Sequence, residues 1–291
     1  MQTFNSTNYS AYTSAPNGTV IALEDERDHD VYAVAKLADG KWWMIENLRL
    51  DDSVTLTTTN THNPLHDTNN IVTLKTDYAN NTIATHLAAS NNTWCTSNSA
   101  ACYDQTMLNT NNARLSDSSL TASYGANNAT SKWYGYGNYY NWYSATAGNG
   151  TLGFSTNNNS VTGDLCPAGW HLPKGGDKNN AANSEFWALS LAIVGAEPAN
   201  TSSQTRPYYT GTPEGTNASN AIRAYPNNFV YSGRWDGAQA LSRSSSGLYW
   251  SSSAGNSALA YNLLLASSNV YPGTNNVLKY IGYSVRCVAG S

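Results

Sequence analysis

The side chains of this chain that could do chemistry are a few histidines, carboxylates, cysteines and one serine, and their spacing decides which chemistry is open to them. His62 and His66 stand four residues apart, a spacing that would place two imidazoles on one helix face as metal ligands. Pro64 lies between them in an Asn/Thr-rich stretch and removes the helix. His171, between Trp170 and Leu172, reads as a satisfied half-buried histidine rather than a ligand. Ser284 in Gly282-Tyr283-Ser284-Val285-Arg286 is no nucleophile elbow, because Arg286 occupies the place of the closing glycine. The chain has neither a His-Glu-x-x-His pair nor a phosphate-cradling glycine loop. Asp25, Glu26, Asp28 and Asp30 could hold a structural cation, but a solvated approach to a hairpin is the better explanation. The expectation is a protein that is not an enzyme and needs no metal or other cofactor.

The four cysteines divide into a local and a distant pair. Cys95 and Cys102 bracket a short Ser/Asn/Ala loop, whereas Cys166 and Cys287 stand far apart in strand-like contexts. Zinc would call for Cys-x-x-Cys spacing with histidine nearby, and neither occurs. One local and one long-range disulfide would place the chain in an oxidising compartment. Buried free thiols are the alternative for Cys166 and Cys287.

Composition narrows the function further. Of 291 residues, 12% are charged, about half the roughly 25% usual for globular proteins, so Asn, Ser and Thr must supply the polar surface. The net charge of -4 and the absence of any Lys/Arg-rich run argue against nucleic acid as a partner. No apolar stretch reaches transmembrane length, and the start of the chain lacks the basic and apolar regions of a signal peptide. Residues 1–18 are polar and read as a disordered tail. The surface composition and the cysteines favour an extracellular or cell-surface location, in which case export is directed by sequence outside this chain; a cytoplasmic protein is the alternative.

Residues 19–291 read as one α+β domain of short antiparallel strands, one or two helices and long loops. Strands are expected at 19–23 and 31–37. Ala38-Asp39-Gly40-Lys41 forms a hairpin turn, and Trp42-Trp43-Met44-Ile45 returns as the next strand. An Asn- and Thr-rich insertion follows over about 51–131. The aromatic run at 133–143 supplies core, with Trp142 inside, while some of its tyrosines could border a binding face. The clearest helix starts at Asn183 or Ser184 as N-cap, with Glu185 in its first turn. Phe186, Leu189, Ile193 and Val194 share one face and Gly195 stops it. A weaker helix is expected near 218–224.

The C-terminal region has a fixed frame and an unusual interior. Gly247-Leu248-Tyr249-Trp250-Ser251-Ser252-Ser253 and Gly282-Tyr283-Ser284-Val285-Arg286-Cys287 look like buried strands. Between Ser251 and Val285 there is no acidic residue, Gln, Met, Trp, His or Phe, and Lys279 is the only charge. The interior reads as irregular binding loops carried on a rigid scaffold.

Six motifs in order resemble the Fibrobacter succinogenes major paralogous domain family, which is similar to the formylglycine-generating-enzyme variant of the C-type lectin fold. They are Asp25-Glu26-Arg27-Asp28-His29-Asp30-Val31-Tyr32, Trp43-Met44-Ile45-Glu46-Asn47-Leu48, Tyr139-Tyr140-Asn141-Trp142-Tyr143, Cys166-Pro167-Ala168-Gly169-Trp170-His171-Leu172-Pro173, Tyr249-Trp250-Ser251-Ser252-Ser253 and the Gly282 to Cys287 motif. The resemblance covers about 19–289 and is weakest over 51–131. It implies a C-type lectin-like fold. It also implies a variable protein of a diversity-generating retroelement, in which mutagenic reverse transcription at template adenines rewrites C-terminal codons. The residues that adenine substitution can generate from an Asn codon account for 248–281 except Trp250 and Lys279. The enzymatic branch of the fold needs a cysteine pair in its groove, and only Cys287 lies near that end. Calcium-dependent sugar sites of such lectins use Glu-Pro-Asn followed by Trp-Asn-Asp. Here Glu197-Pro198-Ala199 lacks the third ligand, and Arg234-Trp235-Asp236 does not replace the second motif.

The expected function is a non-catalytic, receptor- or adhesin-like binding domain that presents a hypervariable face over 248–281 to an unknown protein or cell-surface ligand. An invariant adhesin or carbohydrate-binding lectin-like module is the alternative. The candidate ligand-binding residues are Leu248, Ala254, Gly255, Ala258, Leu259, Leu263, Leu265, Ala266, Tyr271, Asn275, Val277, Leu278, Tyr280 and Ile281. Trp170, Leu172, Trp250, Tyr283 and Val285 should be buried scaffold. Ala254, Gly255, Leu259, Leu265, Tyr271, Leu278 and Tyr280 should share one exposed face.

Overall fold

Alternating β-branched and aromatic residues set the first sheet. A computed structural model describes residues 1–27, 29, 31–48, 137, 139–146, 160–161, 163–176, 183–198, 208–235, 240–242, 245–279 and 281–290. β1 (Val20–Glu24) pairs antiparallel with β2 (Val31–Lys36), and β2 with β3 (Trp42–Met44). The β2–β3 turn works because Asp39 Oδ1 accepts the Lys41 N–H at 3.1 Å and Gly40 takes φ +78°. The Asp39 carboxylate also receives the Trp43 indole N–H, fixing the ring inward. β4 (Trp170–His171) and β11 (Val288–Ala289) complete a five-stranded antiparallel sheet in the order β1-β2-β3-β11-β4.

The second sheet is four-stranded and antiparallel, ordered β5-β10-β9-β8, from β5 (Tyr209–Thr210), β8 (Ser246–Ala254), β9 (Leu259–Ala266) and β10 (Asn269–Leu278). A small two-stranded ribbon of β6 (Arg234–Trp235) and β7 (Ala240–Leu241) adjoins the second sheet, where the Gly233 N–H donates to Ser246 O. Residues 283–287 stitch the large sheets together. The Trp250 N–H donates to Ser284 O and the Ser284 N–H to Leu248 O, while the Leu48 and Met44 N–H groups reach Val285 O and Cys287 O. Among the described residues the α-helices are α1 (Ala11–Ser14), α2 (Trp142–Ala145), α3 (Glu185–Val194) and α4 (Thr216–Arg223). The protein is therefore α+β. None of the described helices is long and apolar enough to cross a membrane.

The expected helix matches α3. Ser184 caps it by accepting the Trp187 N–H, and Gly195 ends it in the left-handed region at φ +78° with its N–H on Leu191 O. Phe186 and Leu189 are buried, with Ile193 and Val194 packed half-buried beside the same core.

Two apolar clusters fill the fold, and the alternation of the strands assigns side chains to one or the other. One joins Tyr32, Val34, Trp42, Met44, Trp170, Leu248, Trp250 and Val285. The other joins Ala33, Ala35, Trp43, Ile45, Val288, Tyr249, Leu263, Leu265 and Val270 with Phe186 and Leu189 of α3 and Ala218 and Ile222 of α4. Core tryptophans satisfy their indole N–H groups on neighbouring backbone: Trp250 Nε1 donates to Tyr140 O and Trp142 Nε1 to Ser251 O. Trp170, Leu172, Trp250, Tyr283 and Val285 are all buried. Cys166 and Cys287 form a disulfide with Cα atoms 5.8 Å apart, closing a separation of 121 residues.

Two expectations fail here. Residues 1–18 are not a disordered tail: Met1 and Phe4 are buried in the first cluster, where Phe4 packs on Trp42, Trp170, Tyr9 and Tyr12. The Trp42 and Trp170 indoles donate to Tyr12 O and Met1 O, so a few anchors order a segment whose composition is otherwise polar. The acid at position 25 is not solvated either. Asp25 is buried, paired bidentately with Arg27 and bonded to Gln2 Nε2 at 2.6 Å. Burial alone would raise its carboxyl, but Arg27 and Gln2 hold it below the ordinary carboxylate range. Asp28 and Asp30, the insertion at 51–131 with His62, His66, Cys95 and Cys102, and Tyr280 lie outside the described residues.

Candidate functional site

The frame of the C-terminal region is buried and densely hydrogen-bonded. Arg286 is buried and donates from Nε to Asn47 Oδ1 at 2.8 Å, from Nη1 to Asn227 O at 2.8 Å, and from Nη2 to Asn228 O. Its guanidinium lies 4.3 Å from the Phe229 ring centre. Ser284 is buried and donates to Ser232 Oγ, in the interior of the fold rather than at a groove.

The interior between the frames departs from the expected loops. It is a regular antiparallel meander, with β9 central and β10 broken by one irregularity between Tyr271 and Asn275. The Ser/Asn/Ala content concealed these strands because β9 is covered on both faces, where small and amide side chains fit between larger ones. Leu263 and Leu265 face the α3 and α4 side, whereas Leu248, Trp250, Ala254 and Ala260 face the other cluster.

This corrects part of the predicted site. Leu248, Ala254, Leu263 and Leu265 are buried at 3%, 0%, 1% and 0% exposure, so they are core and cannot meet a ligand. Gly255, Leu259, Ala266, Tyr271, Asn275, Val277 and Ile281 are half-buried, and Ala258 and Leu278 are exposed. Nor do these survivors share one face. Leu259 and Leu278 are cross-strand partners, as are Tyr271 with Leu264 and Asn275 with Asn262. Strand alternation puts the first pair on the side of Leu263 and Leu265, and the other two pairs on the side of Trp250.

Two surfaces result. The first is the β8–β9 tip. Asn256 Oδ1 accepts the N–H groups of Ala258 and Leu259, both at 2.8 Å, and the Gly255 N–H returns to Leu259 O. Lys279 clamps the tip from below. Its N–H donates to Ala258 O, its Nζ to Ser257 O at 3.1 Å, and the ammonium sits 4.5 Å from the Trp142 ring centre. Burial lowers the Lys279 ammonium to about 8. The tip thus presents Asn256, Ser257 and Ala258, with Leu259 and Leu278 beside them.

The second surface is a ladder along β10. Asn275 Nδ2 donates to the buried Asn262 Oδ1 at 3.1 Å, and Asn262 Nδ2 returns to Asn275 O. Tyr271 stacks on Tyr208 with ring centres 4.3 Å apart and planes 10° apart. Thr210 Oγ1 donates to Asn269 Oδ1 at 2.7 Å. Tyr208 and Thr210 escaped the sequence reading because β5 lies some sixty residues before β10. The alternation of Tyr208, Tyr209 and Thr210 was the available signal, with Tyr209 buried between two half-buried neighbours.

His171 donates from Nδ1 to Gly290 O at 2.6 Å, and its Nε2 lies 2.9 Å from both Glu185 carboxylate oxygens. It holds structure together. Neither a protein-family model, nor a curated protein, nor a solved structure matches this chain.

Proposed function

We propose that the chain is a non-catalytic ligand-binding domain of C-type lectin-like type, which presents the β8–β10 hairpins to a protein or cell-surface ligand outside the cell. One observation carries the reading. From 245 to 278 no residue is acidic or basic, β8 and most of β9 are buried scaffold, and Leu259, Tyr271, Asn275, Val277 and Leu278 are among the half-buried or exposed side chains of a hydrogen-bonded sheet. Half-exposed apolar and aromatic side chains on rigid elements suit recognition, since little conformational freedom is lost on binding. The adenine-derived residue alphabet supports variation of these positions by a diversity-generating retroelement, with Trp250 and Lys279 fixed by their structural tasks.

Sequencing the locus tests this reading. A near-copy of the codons for 248–288 that differs at adenines, beside a reverse-transcriptase gene, is the expected result. A solitary invariant gene would favour an invariant adhesin instead.

A further inference from the structure

β5 contributes only two residues to the sheet, yet it brings four side chains together on one face. Tyr209 turns inward, pairs with Val270 and donates its hydroxyl to Ala196 O at 2.7 Å. Its neighbours Tyr208 and Thr210 therefore lie on the opposite face, beside Tyr271 and Asn269. The two tyrosine rings stack almost parallel and each covers one face of the other, so the aromatic wall is the outer face of one ring backed by the second. Beside it, the Thr210 hydroxyl donates to Asn269 Oδ1, which fixes the amide and directs its Nδ2 donors away from Thr210. The Thr210 oxygen keeps its acceptor lone pairs. All four residues are half-buried.

We infer that Tyr208, Tyr271, Thr210 and Asn269 form a subsite for a neutral saccharide unit, in which the sugar's C–H face packs on the tyrosine wall and its hydroxyls bond Asn269 Nδ2 and Thr210 Oγ1. The inference rests on the ligand-binding reading above and names the class of ligand. Three chemical considerations select it. A charged ligand would lose its hydration against a sheet with no acidic or basic residue from 245 to 278 to compensate it. A purely apolar ligand would cover the Asn269 donors and leave them without acceptors. A sugar ring has one face for the aromatic wall and a rim of hydroxyls that both donate and accept. The site needs no cation, unlike calcium-dependent sugar sites.

The test is binding of the whole chain to immobilised neutral hexose and pentose oligosaccharides, with uronic-acid and sialic-acid oligosaccharides as comparators and chelator present throughout. Wild type should bind neutral glycans. Tyr208→Ala and Asn269→Asp should each weaken that binding about tenfold or more, the scale of one lost stacking or hydrogen-bond contact to a rigid site. Ala188→Ser, at an exposed position of α3, should leave it within about twofold. Thr210→Val serves as a second variant if Asn269→Asp lowers the unfolding temperature. Overturning results are no neutral-glycan binding, a preference for the acidic glycans, or binding that survives both Tyr208→Ala and Thr210→Val. Capture of a protein ligand lost in Leu278→Ser, with no glycan bound, would overturn this inference and leave the binding-domain reading standing.

Discussion

His171 Nε2 lies 2.9 Å from both carboxylate oxygens of Glu185, joining β4 to the first turn of α3. The same carboxylate receives Lys41 Nζ at 2.7 Å and the Lys174 N–H at 2.9 Å, so one side chain ties three segments. Burial by itself would lower the His171 imidazole. The hydrogen bond and charge of Glu185, aided by Asp164 and Gly290 O, outweigh it and raise the imidazole above its ordinary 6.5. Burial would raise Glu185, but His171, Lys41 and Lys174 bring it down to about 2.

The pH dependence follows from linkage. A raised histidine adds stability that is complete below 6.5 and disappears as pH rises through its folded value. A depressed carboxylate adds stability that is complete above 4.5 and disappears as pH falls toward 2. The pair should therefore contribute most between about 4.5 and 6.5. Unfolding temperatures measured across pH for wild type and Glu185→Gln should differ most in that window, with the variant destabilised by about 1–3 kcal/mol. Equal differences at all pH values would contradict it.

The Cys166–Cys287 bridge spans 121 residues of sequence and joins the segment before β4 to that before β11. Replacing both cysteines with serine should cost about 2–4 kcal/mol, chiefly through a freer unfolded chain. Denaturant titration would show it, and non-reducing peptide mapping should recover the two cysteines in one linked fragment.

Lys279 should behave in the opposite sense to His171. Its ammonium is lowered from 10.5 to about 8 by burial, so the unfolded chain binds the proton more tightly, and stability should rise with pH between those values. Lys279→Met keeps the stem over Trp142 and abolishes this rise. It should also speed amide exchange at Ala258 and Leu259, because Ser257 O loses its donor. Unchanged exchange at the tip would refute the clamp.

The division between scaffold and surface has a direct check. Replacing Leu259, Tyr271 and Leu278 together with serine should shift the unfolding temperature by no more than about 3–6 °C, whereas Leu265→Ala should cost about 2–5 kcal/mol. A collapse of the triple variant would return those residues to the core.

The sequence disclosed local structure better than it disclosed facing. Ser184, Glu185 and Gly195 carry the start and stop of α3 in their own chemistry, and Asp39-Gly40 does the same for its turn. The two long strands 259–266 and 269–278 were not legible as strands, because their polar and small residues lie between clusters contributed by distant parts of the chain. Leu265 and Leu278 look alike in sequence. One is covered by α3 and α4 and the other is 38% exposed, a difference set by tertiary packing rather than residue type. Tyr208 joined Tyr271 only through sheet order, which no local pattern encodes.

Burial of β9 on both faces limits how far this hairpin can diverge among descendants. Asn262 is fully enclosed and locked to Asn275, while Leu264 and Ala266 on the same strand are only half covered. Tolerance to substitution must therefore rise and fall with every second residue toward the β9–β10 turn. Inherited diversity at this surface would come in a two-residue beat, and any process that rewrote every asparagine alike would lose some of its progeny at position 262.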